Sequence, residues 1–213
     1  MIENPEQSLR AWAKETTDRQ GRERDLEEYE GFLGFRREEL AGKTILDIGS
    51  GETELFSRGL QEHVPSANMI SVNPDYSIKR FRKTIGETSH WQKKSVAAIG
   101  QELPFNDASF DVVLALKSVA DFSSPEANPV AAQSWMREIV RVLKPGGVAR
   151  IAPILSEADQ EVWESAYRPL FDELQSQGVS VRVEMIIARE LGLEEGEDTY
   201  HRRIVLFKPA LKY

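Results

Sequence analysis

The segment richest in chemical possibility is Ile45-Leu46-Asp47-Ile48-Gly49-Ser50-Gly51. A short apolar run delivers an acid into a turn built on two glycines, and a helix-forming stretch follows. Glycine lets the backbone turn tightly and lets a ligand lie against the main chain. The first N–H groups of the next helix are free to meet that ligand. The plain structural reading is a tight strand-to-helix turn. Two nucleotide motifs can be tested here. A dinucleotide fingerprint needs a third glycine three positions after Gly51, where the chain has Glu54, a carboxylate that would face a pyrophosphate. Gly42-Lys43-Thr44 has the end of a phosphate-binding loop, but the glycine required five positions earlier is Arg37, and the triplet precedes a strand. Other reactive types are sparse. There is no cysteine, hence no disulfide, thiolate nucleophile or zinc–thiolate site, and His63, His90 and His201 form no ligand pair at helical spacing.

These residues need elements to hold them. Thr44–Ile48 reads as a first strand, residues 53–62 as a helix, and Met69–Val72 as a second strand closed by Asn73-Pro74. Pro74 to Ile85 can be helix, with proline at an early position. Ser95–Ala98 is a weak third strand and Phe110–Leu116 a strong fourth. Residues 130–143 form an amphipathic helix with Trp135, Ile139, Val142 and Leu143 inward, stopped at Lys144-Pro145-Gly146-Gly147. Val148–Ala152 is the fifth strand, 157–177 a helix, Val179–Ile187 the sixth strand and Arg203–Phe207 the seventh. This alternation predicts an α/β fold: a doubly wound, Rossmann-like, mainly parallel seven-stranded sheet with helices on both faces. Ligands of such a sheet bind at the carboxyl ends of the strands, beside the first. Residues 1–40 read as an N-terminal helical extension and 41–213 as the main part of one domain. Tyr29, Phe32, Leu33 and Phe35 either pack against that domain or form a lid.

At this point a resemblance becomes specific. Asp47-Ile48-Gly49-Ser50-Gly51 resembles the first motif of the class I S-adenosylmethionine-dependent methyltransferases, in particular their small type 11-like domains. Ser71-Val72-Asn73-Pro74, Leu103–Val113 and Glu138–Gly147 resemble later segments of that family, in its order. The resemblance covers residues 41 to 154. It implies a seven-stranded fold, S-adenosylmethionine as cofactor and S-adenosylhomocysteine as product. It also implies roles. Asp47 would orient the glycine loop and help hold the ligand's amino group. Gly49, Ser50 and Gly51 would receive the methionine part, and Asn73 would touch the ribose hydroxyls. Ile99, Gly100 and Gln101 would meet adenine. Leu116 and Lys117 would end the fourth strand beside the methyl group and substrate. Three positions depart from the family pattern: Thr53 stands for a glycine, and Asn73 and Ile99 stand for acids. If Asn73 is a diminished acid, Asn73→Asp should strengthen cofactor binding.

The transfer itself needs positioning and a dry site more than acid–base chemistry. An oxygen acceptor would want a base, for which Asp121 and His201 are candidates. Lys117 either contacts an anionic group or carries its ammonium to water. The net charge of −8 opposes sequence-independent nucleic-acid binding, and the one basic run, Lys79–Lys83, reads as a solvated helix face. The acidic Glu194–Asp198 is either a hairpin tip or a lure for a cationic acceptor. No apolar stretch is long enough to span a membrane, the N-terminal residues lack a secretion signal, and a cytoplasmic setting is expected. The expected function is methyl transfer to a small-molecule acceptor. The alternative is a catalytically inactive, methyltransferase-like binding or regulatory protein. Oligomeric state is not legible.

Overall fold

In the computed structural model, residues 24–51, 54–77, 94–118, 129–154, 160–187 and 200–210 are described. The chain opens with α1 (Leu26–Leu33). Asp25 caps it by accepting from the Glu28 N–H while Glu28 reaches back to the Asp25 N–H, and Gly34 ends it in the left-handed conformation. A 3-10 turn (Arg37–Leu40) leads into β1 (Thr44–Ile48), α2 (Leu55–His63) and β2 (Asn68–Val72). A second 3-10 turn (Pro74–Ser77) precedes β3 (Ser95–Val96) and β4 (Phe110–Leu116). Then follow α3 (Pro129–Val142), β5 (Leu143–Ile154), α4 (Gln160–Ser176), β6 (Ser180–Ile187) and β7 (Tyr200–Phe207).

The seven strands form one sheet in the order β3-β2-β1-β4-β5-β7-β6. β1 to β5 are parallel, and β7 runs antiparallel between β5 and β6. The strand order reverses between β1 and β4, so a crevice opens past their carboxyl ends. This is the doubly wound sheet expected from the sequence.

Side-chain alternation builds the two faces. From β4, Val112, Leu114 and Leu116 join α1 and α2 on one side, while Val113 and Ala115 join α3 and α4 on the other. Phe110 breaks the even-odd rule by siding with Val113, because the β4–β5 register shifts between Phe110 and Val112. β1 contributes Ile45 to the first core and Leu46 and Ile48 to the second. Tyr29, Phe32, Leu33 and Phe35 are all buried in the first core, so the packing role foreseen for them is realised.

Some boundaries differ from expectation. β5 begins at Leu143, without a break after α3, because Leu143 pairs with Phe110, and Gly146 and Gly147 exchange backbone bonds with Lys208. Gly146, at φ +83°, makes the turn that allows this. β3 is two residues long rather than four, and β7 starts three residues early because Ile187 pairs with Tyr200. The helix expected from Pro74 is a 3-10 turn as far as Ser77. Residues 1–23 of the expected helical extension, the rest of the helix to Ile85, Thr53, the Lys79–Lys83 run, His90, Asp121 and Glu194–Asp198 lie outside the described residues.

Candidate functional site

The site assembles where β1 ends. Asp47 is the fourth residue of β1 and fully buried on the α1/α2 face. Its Oδ1 accepts a hydrogen bond from the Tyr29 hydroxyl at 3.0 Å. Its Oδ2 is buried and finds no hydrogen-bond partner among the described residues. Loss of water pushes the carboxyl up to about 8; the Tyr29 hydrogen bond opposes the rise and the nearby Glu54 charge adds to it. An acid with one oxygen held and the other bare is suited to receive a cation.

Beyond Ile48 the chain turns through Gly49 (φ +82°) and Gly51 (φ +76°). The Gly49 N–H donates to the Val72 carbonyl at 2.8 Å, tying the turn to the end of β2. A side chain on Gly49 would put its Cβ 2.3 Å from the Ser118 Cβ. Ser118 follows β4, and its hydroxyl donates to the Ile48 carbonyl at 2.7 Å. Gly49 therefore lets the end of β4 close on the end of β1.

Asn73 is nearly buried and donates from Nδ2 to the Gly51 carbonyl at 3.2 Å. The Tyr76 hydroxyl spans the same turn, 2.7 Å from the Ser50 hydroxyl, 3.0 Å from the Gly51 carbonyl and 2.9 Å from Glu54 Oε1. Burial and the Glu54 charge push this phenol well above its ordinary range. Glu54, the residue that excluded a dinucleotide fingerprint, stands at the N-cap position of α2 in a left-handed conformation (φ +53°), its side chain turned elsewhere than to the helix N–H groups. Its buried carboxylate also accepts from the Ser95 hydroxyl. Asn73 and Tyr76 thus share the Gly51 carbonyl, and Tyr76 ties the Glu54 carboxylate to that turn.

Next to β3, Ile99 bridges to Glu102. Gly100 lies under Trp135 of α3, whose ring would be 2.7 Å from an added Cβ. Gln101 Oε1 is buried and, like Asp47 Oδ2, finds no partner among the described residues. Leu116 is buried at the end of β4, on the α1 side. Lys117 adopts a left-handed backbone (φ +49°) and sets its ammonium 5.6 Å from the centre of the Phe32 ring.

The structure therefore brings Asp47, Gly49, Ser50, Gly51, Asn73 and Leu116 together at the carboxyl ends of β1, β2 and β4. Gly100 and Gln101 lie just past β3, on the same side of the sheet. The backbone of His201 lies on β7, paired with Ile186 of β6, three strands from β1 and so roughly 14 Å away at ordinary strand spacing. Tyr29, Glu54, Tyr76 and Ser118 were missed by sequence reasoning. For Tyr29 a signal existed: a hydroxyl within an otherwise apolar helix face needs a buried partner. No group of three or more metal-ligating side chains occurs among the described residues, and none of their helices is long and apolar enough to cross a membrane.

Residues 46–151 match the family model described as a methyltransferase domain. No curated protein matches the chain in sequence. Among solved structures, the chain is similar to a complex of the Haloferax volcanii Trm112 methyltransferase activator with a methyltransferase, at 15% identity and TM-score 0.57 over 99% of this chain and 100% of that one. It is similar to the [4+2]-cyclase SpnF at 16% identity and TM-score 0.53, over 80% of this chain and 76% of that one. It is also similar to the Haemonchus contortus phosphoethanolamine N-methyltransferase 2 in complex with S-adenosyl-L-methionine, at 17% identity and TM-score 0.54, over 83% of this chain and 50% of that one. At such identities the likeness establishes the fold.

Proposed function

The chain belongs to the class I S-adenosylmethionine-dependent methyltransferases, and from that premise we propose that it transfers the methyl group to a small-molecule acceptor, holding the cofactor across the carboxyl ends of β1, β2 and β4. The observation that carries this reading is the pair of bare, buried acceptors, Asp47 Oδ2 and Gln101 Oε1. Asp47 sits where the family pattern meets the cofactor's ammonium, and Gln101 lies two residues past Ile99, in the loop that the family pattern sets against adenine. A buried acceptor without a donor costs about 1–3 kcal/mol, so each fits an N–H that arrives with a ligand. Asp47 would hold the ammonium and Gln101 the adenine amino group, with the turn at Gly49–Gly51 between them.

The cofactor, when bound, supplies a methyl group on a positively charged sulfur. The chain's share is to bind, orient and exclude water. Leu116 closes the end of β4 with an apolar side chain packed into the core, and Lys117 is turned aside onto Phe32. Of the carboxylates described at this site, Glu54 is engaged by Tyr76 and Ser95, and Asp47 is committed to the ligand's ammonium. An acceptor that is already nucleophilic, such as an amine, suits it best. The charge of −8 favours a neutral or cationic acceptor over a polyanion.

One observation favours a second reading, a methyltransferase-like protein that binds without turnover. Tyr76 bridges Ser50, Gly51 and Glu54, and Ser118 packs on Gly49, so the chain's own side chains brace the turn from within. A thermal-shift titration with S-adenosylmethionine and S-adenosylhomocysteine tests both. A ligand at a hundred times its Kd should stabilise the fold by about 2.7 kcal/mol. Binding with label transfer to a small amine supports the first reading, and binding without transfer supports the second. No shift and no heat at millimolar ligand overturns the cofactor site. The Haloferax relative stands in a complex with an activator protein. The transfer assay is therefore run on the purified chain and again with a lysate fraction that co-purifies with it.

A further inference from the structure

The hydroxyl that holds Asp47 comes from α1, a helix outside the residues 46–151 matched by the family model. α1 is fixed independently of the site. Its first turn is closed by the Asp25–Glu28 capping box, and Gly34 ends it. The Arg150 guanidinium donates to the Leu33 carbonyl at 3.1 Å. The Tyr29 ring stacks on Phe56 of α2, with centroids 3.8 Å apart and planes 4° from parallel, and Phe35 packs edge-on to the same Phe56. The phenol can therefore neither withdraw nor swing, and its oxygen is delivered to one place, 3.0 Å from Asp47 Oδ1.

We infer that Tyr29 is a positioning residue for the cofactor site: by binding Oδ1 it fixes the plane of the Asp47 carboxylate and leaves Oδ2 as the acceptor for the ligand's ammonium. This rests on the reading of Asp47 given above. With both oxygens bare in an apolar pocket the carboxyl would hold its proton to a still higher pH and lose more of its attraction for a cation. One charge-assisted hydrogen bond from a rigid donor favours the ionised form and costs no reorganisation on binding. The other ionisable groups around Asp47 cannot replace it. Glu54, at the start of α2, and Tyr76, past β2, act against its charge, and Lys117, after β4, is turned onto Phe32. The cationic ligand and the Tyr29 hydroxyl thus act in the same sense, and α1 contributes to cofactor affinity without touching the cofactor.

Tyr29→Phe tests this, since it keeps the ring and its stack on Phe56 and removes only the hydroxyl. Calorimetry with S-adenosylhomocysteine is run on both proteins between pH 6.5 and 9; the ligand's own amino group titrates alike in both and cancels in the ratio. The expected result is a Kd about tenfold weaker at neutral pH. The pH of half-maximal affinity should move upward. In an Asp47→Asn background the same substitution should produce no pH displacement. NMR titration of the Asp47 carboxyl in the ligand-free proteins gives a second readout, expected to move up in Tyr29→Phe. Equal Kd and equal pH midpoints, or an unmoved Asp47 titration, would overturn the inference and leave Tyr29 a core residue. A wild-type protein that binds neither cofactor form while its Asp47 titration responds to Tyr29→Phe overturns the cofactor reading instead, and the role with it.

Discussion

At the scale of single residues, the protein is defined by polar groups placed where little else is polar. Asp47 shows this most clearly. Its carboxyl titrates near 8 in the fold and near 3.9 in the unfolded chain, so the folded state binds the extra proton. Stability from this group is complete below the unfolded value and is lost as pH rises through the folded one. Denaturation midpoints of the free protein should therefore fall between about pH 4 and 8, by at most ~1.4 kcal/mol per pH unit. Asp47→Asn should flatten that slope, and chemical denaturation across the range measures it. Asn73 is the second case. Its amide donates to the Gly51 carbonyl, and the Glu54 carboxylate is anchored to Tyr76 across the same turn. An aspartate would lose the donor and set a second negative charge beside the first. The geometry thus reverses the expectation formed from sequence: Asn73→Asp should destabilise the protein by about 1 kcal/mol and weaken cofactor binding, as paired denaturation and calorimetry would show.

Between elements, the telling contact is the closure of β4 on β1. Ser118 sits where a Gly49 side chain would be and bonds the last carbonyl of β1. Gly49→Ala pays twice, once for a left-handed backbone and once for the collision. A loss of roughly 2–4 kcal/mol is expected, together with loss of cofactor binding. Adding Ser118→Gly should return the part due to collision and leave the part due to φ. Denaturant melts of the two single variants and the double variant separate the terms, and full recovery would mean that the backbone conformation costs nothing there. The same logic explains the turn at Gly146 within β5, where a positive φ lets Gly146 and Gly147 pair with Lys208.

For the molecule as a whole, α1 completes the domain. Leu26, Tyr29, Phe32 and Leu33 are each at most 4% exposed and fill the core on one face of the sheet. Burying four such side chains is worth roughly 6–12 kcal/mol as an upper estimate, comparable with the whole stability of a domain at about 5–15 kcal/mol. Residues 41–213 produced alone should therefore fail to fold cooperatively. Far-UV circular dichroism, thermal melting and dye binding to exposed apolar surface would check this. A sharp melt close to that of the full chain would show that α1 is an accessory.

The succession of strands and helices, the doubly wound sheet and the place of the glycine turn were legible in the amino-acid sequence. They follow from local periodicity, from glycine's access to positive φ, and from the rule that parallel strands joined by helices wind to both sides. Asp47, Asn73 and Gln101 could be named on their motif positions alone. What each of them does was decided by tertiary structure, because it depends on partners far away in the chain. Tyr29 is 18 residues from Asp47, Tyr76 is 22 from Glu54, and Ser118 is 70 from Ile48. No window of sequence contains both members of such a pair. The left-handed Glu54 is the sharpest case. Its side chain reads locally as an obstacle to a nucleotide, but folding buries it and engages it with Tyr76 and Ser95, because burial and hydrogen-bond geometry are properties of neighbours in space.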